Sequence, residues 1–165
     1  MRVKLLLVGV LAVPLGACSE KVSRAPPPID KQLLTGKWKN SSETQFISGY
    51  EFAKDGTMKM LVKGMEKPVP GRYEWSGDRT LEVKFQTEED VQKAFRAAAK
   101  AYKDGVQERI KSGQLTDRAG PSILRSIPDE LAAEETFQAS FSDKPRLLIL
   151  VKAATGASQT YEPAD

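Results

Sequence analysis

The side chains that most often carry enzyme chemistry are nearly missing from this chain. It has no histidine and one cysteine, Cys18. That removes the commonest general base, the Ser-His and Cys-His nucleophile pairs and the commonest transition-metal ligand. No serine has a lysine three residues later, so a Ser-Lys nucleophile pair is absent too, and the Gly-rich spacings that cradle phosphates do not occur. Carboxylates remain in two groups, Glu88-Glu89-Asp90 and Asp129-Glu130 with Glu134-Glu135. Both fall where helix N-termini or helix-to-strand junctions are expected, and there acidic residues complement the helix dipole without doing acid–base work. No loop of hard-cation spacing accompanies them. The chain therefore reads as non-catalytic, with no metal and no cofactor implied.

The cysteine has a different chemistry available. Arg2 and Lys4 precede the apolar run 5–13, and Leu15-Gly16-Ala17 stands directly before Cys18. A charged start, a short apolar stretch and a small-residue end make a secretory signal, and the run is too short for the roughly 20 apolar residues of a membrane span. Leu15-Gly16-Ala17-Cys18 resembles the lipobox of bacterial lipoproteins. The resemblance implies cleavage between Ala17 and Cys18, acylation (palmitate or similar) of the Cys18 thiol, and membrane anchoring through that lipid. Ser19, in place of Asp after the lipidated residue, implies sorting to the outer membrane, facing the periplasm. An exported domain with no second cysteine has no disulfide framework and must rely on a packed core.

The whole chain carries 25 basic and 22 acidic residues, but Arg2 and Lys4 leave with the signal, so what remains is nearly neutral. Nothing in that balance points to nucleic acid or another polyanion. The segments read as a signal peptide (1–17), a lipidated Pro-rich tether (18–32) with Pro26-Pro27-Pro28, and a single domain (33–165).

The domain begins as a succession of short segments with turns every eight to twelve residues, the spacing of an antiparallel meander. Residues 46–53 alternate Phe46, Ser48, Tyr50 and Phe52 against Ile47, Gly49 and Glu51, then Asp55-Gly56 turns the chain into 57–63. Tyr73 and Trp75 share a face, and 79–86 alternates with Leu81, Val83 and Phe85 on one side. The period then changes to that of a helix. Thr87-Glu88-Glu89-Asp90 resembles a capping box, and Val91, Phe95, Ala98, Tyr102, Val106 and Ile110 form an apolar stripe up to Lys111. Lys93, Arg96, Lys100, Lys103 and Arg109 occupy the polar face. Such a basic amphipathic helix suits either anionic lipid headgroups or packing on the domain's own core, and the aromatic stripe favours packing. Less regular helical turns follow, up to about residue 133. Period two then returns with Phe137, Ala139 and Phe141, the apolar run 147–151 and a last short strand at 159–162.

Five strands, a helical insert at about 88–133 and three more strands make a mainly β (α+β) protein: an antiparallel meander or an eight-stranded barrel, with the insertion between strands 5 and 6. Leu34-x-Gly36-x-Trp38, Tyr50-Glu51-Phe52 with Asp55-Gly56, and Gly71-x-Tyr73 before Gly77-Asp78 resemble the small lipocalin-like domains of bacterial secreted proteins and lipoproteins. That resemblance implies a barrel closed at one end by Gly36 and Trp38, with Tyr50, Phe52, Tyr73, Trp75 and Phe85 as candidate liners of a site for a small apolar ligand. The alternative left open is an interaction protein of the envelope, an inhibitor or assembly factor, using the helical insert or the hairpin loops.

Overall fold

The computed structural model describes residues 29–42, 44–116, 118–143 and 146–164. The signal peptide, the Ala17–Cys18 cleavage site and the tether as far as residue 28 lie outside the described residues. Eight strands run in order: β1 (Gly36–Asn40), β2 (Ile47–Phe52), β3 (Thr57–Val62), β4 (Val69–Trp75), β5 (Thr80–Phe85), β6 (Glu134–Asp143), β7 (Arg146–Lys152) and β8 (Ser158–Pro163). Each pairs antiparallel with its neighbours in sequence, and β1 pairs with β8 through Trp38↔Pro163, Lys39↔Glu162 and Asn40↔Tyr161. The sheet is therefore a closed barrel with no free edge, which disposes of the unpaired strand that an open meander would expose.

Period-two alternation decides which side chains fill it. Met58, Met60 and Val62, Leu81, Val83 and Phe85, and Leu148 and Leu150 are all buried, whereas Lys59, Lys84 and Arg72 face water. An eight-stranded barrel is narrow enough to be filled by its own side chains. Outside it, Glu51 lies between Lys37 (3.9 Å) and Lys59 (3.8 Å), and Lys84 between Glu74 (3.8 Å) and Glu134 (3.9 Å). Exposed pairs of this kind contribute little to stability.

The expected alternation over 46–53 is interrupted. The β2–β3 register shifts between Ile47 and Gly49, a bulge that takes Ser48 out of the face holding Tyr50 and Phe52. The cause is a close approach: a Cβ on Gly49 would stand 2.3 Å from the Trp38 carbonyl oxygen, so only glycine fits beneath β1 there. The Asp55 turn forms as expected, with Asp55 Oδ1 accepting from Thr57 N (2.9 Å) and Thr57 Oγ1 (2.6 Å).

Two helices, α1 (Glu89–Lys111) and α2 (Ala119–Ser126), separate β5 from β6. The Thr87 capping box does not form. Glu88 is the N-cap and makes no side-chain cap bond, so the helix begins one residue too late for Thr87 to reach it, and Glu89 and Asp90 meet the helix dipole from the first turn instead. Phe95, Ala98, Ala99 and Val106 of α1 are buried against the barrel, as the apolar stripe implies. Gln92 secures the far end of the insert, donating to Leu131 O (2.7 Å) and accepting from Leu131 N (3.2 Å). No helix among the described residues is long and apolar enough to cross a membrane.

Candidate functional site

The up-and-down order gives the barrel two unlike ends. One end, the base, carries the start of β1 and the ends of β4 and β8. A 3₁₀ turn at Lys31–Leu34 lies across it, beginning two residues inside the segment read as tether. Gly36 enters β1 at φ +132, a backbone angle that L side chains rarely adopt, and Leu34 is fully buried. Trp38 donates from Nε1 to Leu34 O (2.7 Å), packs against the Phe141 ring (centroids 5.8 Å apart) and lies under the Arg146 guanidinium (5.4 Å). Arg146 also donates to Leu33 O (2.9 Å). Gly36 and Trp38 thus stand where the chain folds over the base. Tyr73 and Trp75 are at this end as well. Tyr73 donates its hydroxyl to Ala53 O (2.7 Å), and Lys31 lies over the Trp75 ring (5.5 Å).

The other end, the mouth, is covered by the helical insert. Phe46, in the β1–β2 loop, meets Phe95 edge-on (5.4 Å) and Tyr102 (5.5 Å), which fixes α1 across part of the opening. Gly120 lets α2 lie close on Ile110 of α1, since a Cβ there would fall 2.2 Å from the Ile110 side chain. Between α2 and the strands is a cleft of about 300 Å³, lined by Tyr50 of β2, Glu135 and Phe137 of β6, Leu150 and Lys152 of β7, Gln159 of β8, and Arg125 of α2.

Four strands and a helix therefore bring polar groups to one place. Glu135 and Lys152 form a hydrogen-bonded ion pair with little exposure on the Glu135 side. The Tyr161 hydroxyl donates to Gln159 Oε1. Tyr50, only 1% exposed, meets the Tyr161 ring edge-on (5.3 Å), and its hydroxyl turns toward the Tyr161 hydroxyl without a well-formed hydrogen bond. The amide nitrogen of Asn40, cross-strand from Tyr161, is likewise buried beside that hydroxyl with no well-formed bond. Burial pushes the Tyr50 phenol well above its ordinary 10.0, and the neighbouring Tyr161 and the Glu135 charge add to the rise. Burial raises Tyr161 in the same direction, against hydrogen bonding that favours its ionised form. Both tyrosines are neutral across the physiological range and present O–H groups, not phenolates.

Of the five aromatic residues expected to line a site, Tyr50, Phe52 and Tyr73 form one run of rings (Tyr50–Phe52 5.7 Å, Phe52–Tyr73 5.1 Å) but do not share one cleft. Tyr50 alone reaches the mouth cleft, Tyr73 and Trp75 line a separate cleft at the base, and Phe85 is packed in the core. Lys152, Gln159 and Arg125 are not among the residues the sequence points to, and Glu135 stands out there only as a carboxylate of a helix-to-strand junction. Strand parity carries the signal for two of them: Glu135 continues the inward face of Phe137 and Ala139, and Lys152 that of Leu148 and Leu150. Polar side chains on an inward face are costly to bury unless they serve something.

The carboxylates of the second group are each paired with a cation. Asp129 pairs with Lys103 (2.5 Å), Glu130 with Arg96 (3.4 Å), and Glu134 and Glu135 with Lys84 and Lys152. Among the described residues no three His, Cys, Asp or Glu side chains are grouped to hold a metal ion. Comparison of the chain with protein-family models, with curated proteins and with solved structures found no match.

Proposed function

We propose that this protein is a lipid-anchored lipoprotein of the cell envelope that binds a small molecule at the helix-covered mouth of its barrel and does not catalyse a reaction. The observation that carries the binding reading is the Tyr50 hydroxyl, buried at the cleft beside Tyr161 without a well-formed hydrogen bond. A buried polar group left unpaired costs about 1–3 kcal/mol, a cost that a bound ligand supplying the missing hydrogen bond would remove. The barrel interior is filled by side chains, so a ligand would sit in a surface cleft and not in a central cavity; the base cleft is larger, at about 690 Å³, but the mouth cleft is the one that gathers buried polar groups.

Export and anchoring rest on Arg2, Lys4, the apolar run and Leu15-Gly16-Ala17-Cys18. The 3₁₀ turn that follows the tether lies across the base, so a lipid on Cys18 would tether the domain from its closed end. Native mass spectrometry of the detergent-extracted, acylated protein tests the binding reading. A co-purifying small molecule, lost on unfolding, is expected; a stoichiometric protein partner in its place would favour an inhibitor or assembly factor. A Cys18→Ser variant tests the anchor, with loss of membrane association and of processing expected. Retention on the membrane with cleavage still after Ala17 would end the lipoprotein reading.

A further inference from the structure

The groups at the mouth are unequal in what they offer. Several of its side-chain acceptors are already engaged: Glu135 Oε1 by Lys152, Gln159 Oε1 by the Tyr161 hydroxyl, and Thr155 Oγ1 by Ala157 N (3.3 Å). Donors are left over. The Tyr50 hydroxyl, which turns toward Tyr161 without a well-formed bond, lines the cleft, and the Arg125 guanidinium donates only from Nε to Pro121 O (3.3 Å), with no carboxylate in ion-pairing range among the described residues. Lys152 offsets Glu135, so Arg125 leaves the cleft with a surplus of one positive charge. Its walls between the polar groups are Ile47, Phe137 and Leu150.

We propose that the mouth cleft takes a small carboxylate: an anionic head held by Arg125, Lys152 and the Tyr50 hydroxyl, on a compact apolar body that rests against Ile47, Phe137 and Leu150. This proposal rests on the reading of the mouth as a binding site and adds the ligand's chemical class. Charge-assisted bonds from a guanidinium and an ammonium are the strong ones in such a setting, and the carboxylate shares Lys152 with Glu135. The cleft of about 300 Å³ is of the size that small-molecule sites occupy.

The test uses the full-length acylated protein in a neutral detergent, with cyclohexanecarboxylate and its neutral isostere cyclohexanecarboxamide as probes, read by NMR shifts of the backbone amides of Tyr50, Lys152 and Gln159. The carboxylate is expected to bind at least tenfold more tightly than the carboxamide. Arg125→Gln, an exposed substitution on α2, is expected to abolish that preference with the melting temperature unchanged. Equal affinities, with shifts at the mouth, would overturn the anionic class and leave the mouth as a binding site. An unchanged preference in Arg125→Gln would overturn the assignment of the head to that guanidinium. No shift at the mouth from either probe at millimolar concentration, or shifts confined to the base, would overturn both this proposal and the binding reading.

Discussion

At the base of the barrel, Trp38, Tyr73 and Arg146 each donate to a main-chain carbonyl and so hold the chain shut. At the mouth the buried Tyr50 hydroxyl and Asn40 amide nitrogen turn toward Tyr161 and make no well-formed hydrogen bond. The two ends share aromatic and aliphatic material and differ in how fully their polar groups are bonded. A satisfied end is a closure; an end that keeps buried donors without well-formed bonds beside an ion pair is suited to receiving something.

The sharpest way to test the contrast is to damage the base. Trp38→Ala removes a fully buried ring together with its bond to Leu34, and is expected to cost about 3–5 kcal/mol in denaturant unfolding. A loss under about 1 kcal/mol would mean that Trp38 does not close the barrel. Alkaline pH should attack the mouth instead. The Tyr50 and Tyr161 phenols are raised in the folded state, so the neutral form is bound more tightly there than in the unfolded chain. Their contribution is complete below the ordinary value of 10.0 and is lost as pH rises above it, at about 1.4 kcal/mol per pH unit for each group. Absorbance at 295 nm should show these two ionising together with unfolding, and the double substitution Tyr50→Phe, Tyr161→Phe should flatten the pH dependence. Ionisation of Tyr50 near pH 10 in the native protein would contradict its burial.

Between the two ends, Gly49→Ala sets a Cβ against the Trp38 carbonyl and is expected to cost about 1–3 kcal/mol, with the bulge displaced in the amide spectrum. The smallest expected effect is the most telling for the comparison. Tyr50→Phe removes a hydroxyl with no well-formed bond, so stability should stay the same or rise by up to about 1 kcal/mol, while affinity for a mouth ligand falls. A loss above about 1 kcal/mol would show that the hydroxyl has a partner after all and that the two ends do not differ.

Much of the barrel can be read from local pattern, because a strand that buries one face must alternate. Leu81, Val83 and Phe85, or Phe137 and Ala139, identify their inward faces with no knowledge of what they meet. The α1 stripe is legible for the same reason at the helical period. Where the pattern misleads, a contact distant in sequence has intervened. The bulge at Gly49 answers to the Trp38 backbone on the neighbouring strand, and the Thr87 cap is lost to a start position set by how α1 docks. The candidate site was legible at one residue, Tyr50. Residue type marks an aromatic side chain as a candidate liner, but its place along the strand decides whether it belongs to the mouth, the core or the base.

From sequence alone come the eight strands, the position of the helical insert between the fifth and sixth, the near-absence of catalytic side chains and the lipobox resemblance at Cys18, since each depends on residue type and short-range spacing. Only the tertiary structure decided that β1 and β8 close the ring and that Tyr50, Glu135, Lys152, Gln159 and Arg125 meet beneath α2. These five span from residue 50 to residue 159, and no local period encodes a meeting of that kind. It depends on the register with which eight strands wind into a barrel and on where two helices come to rest across one end.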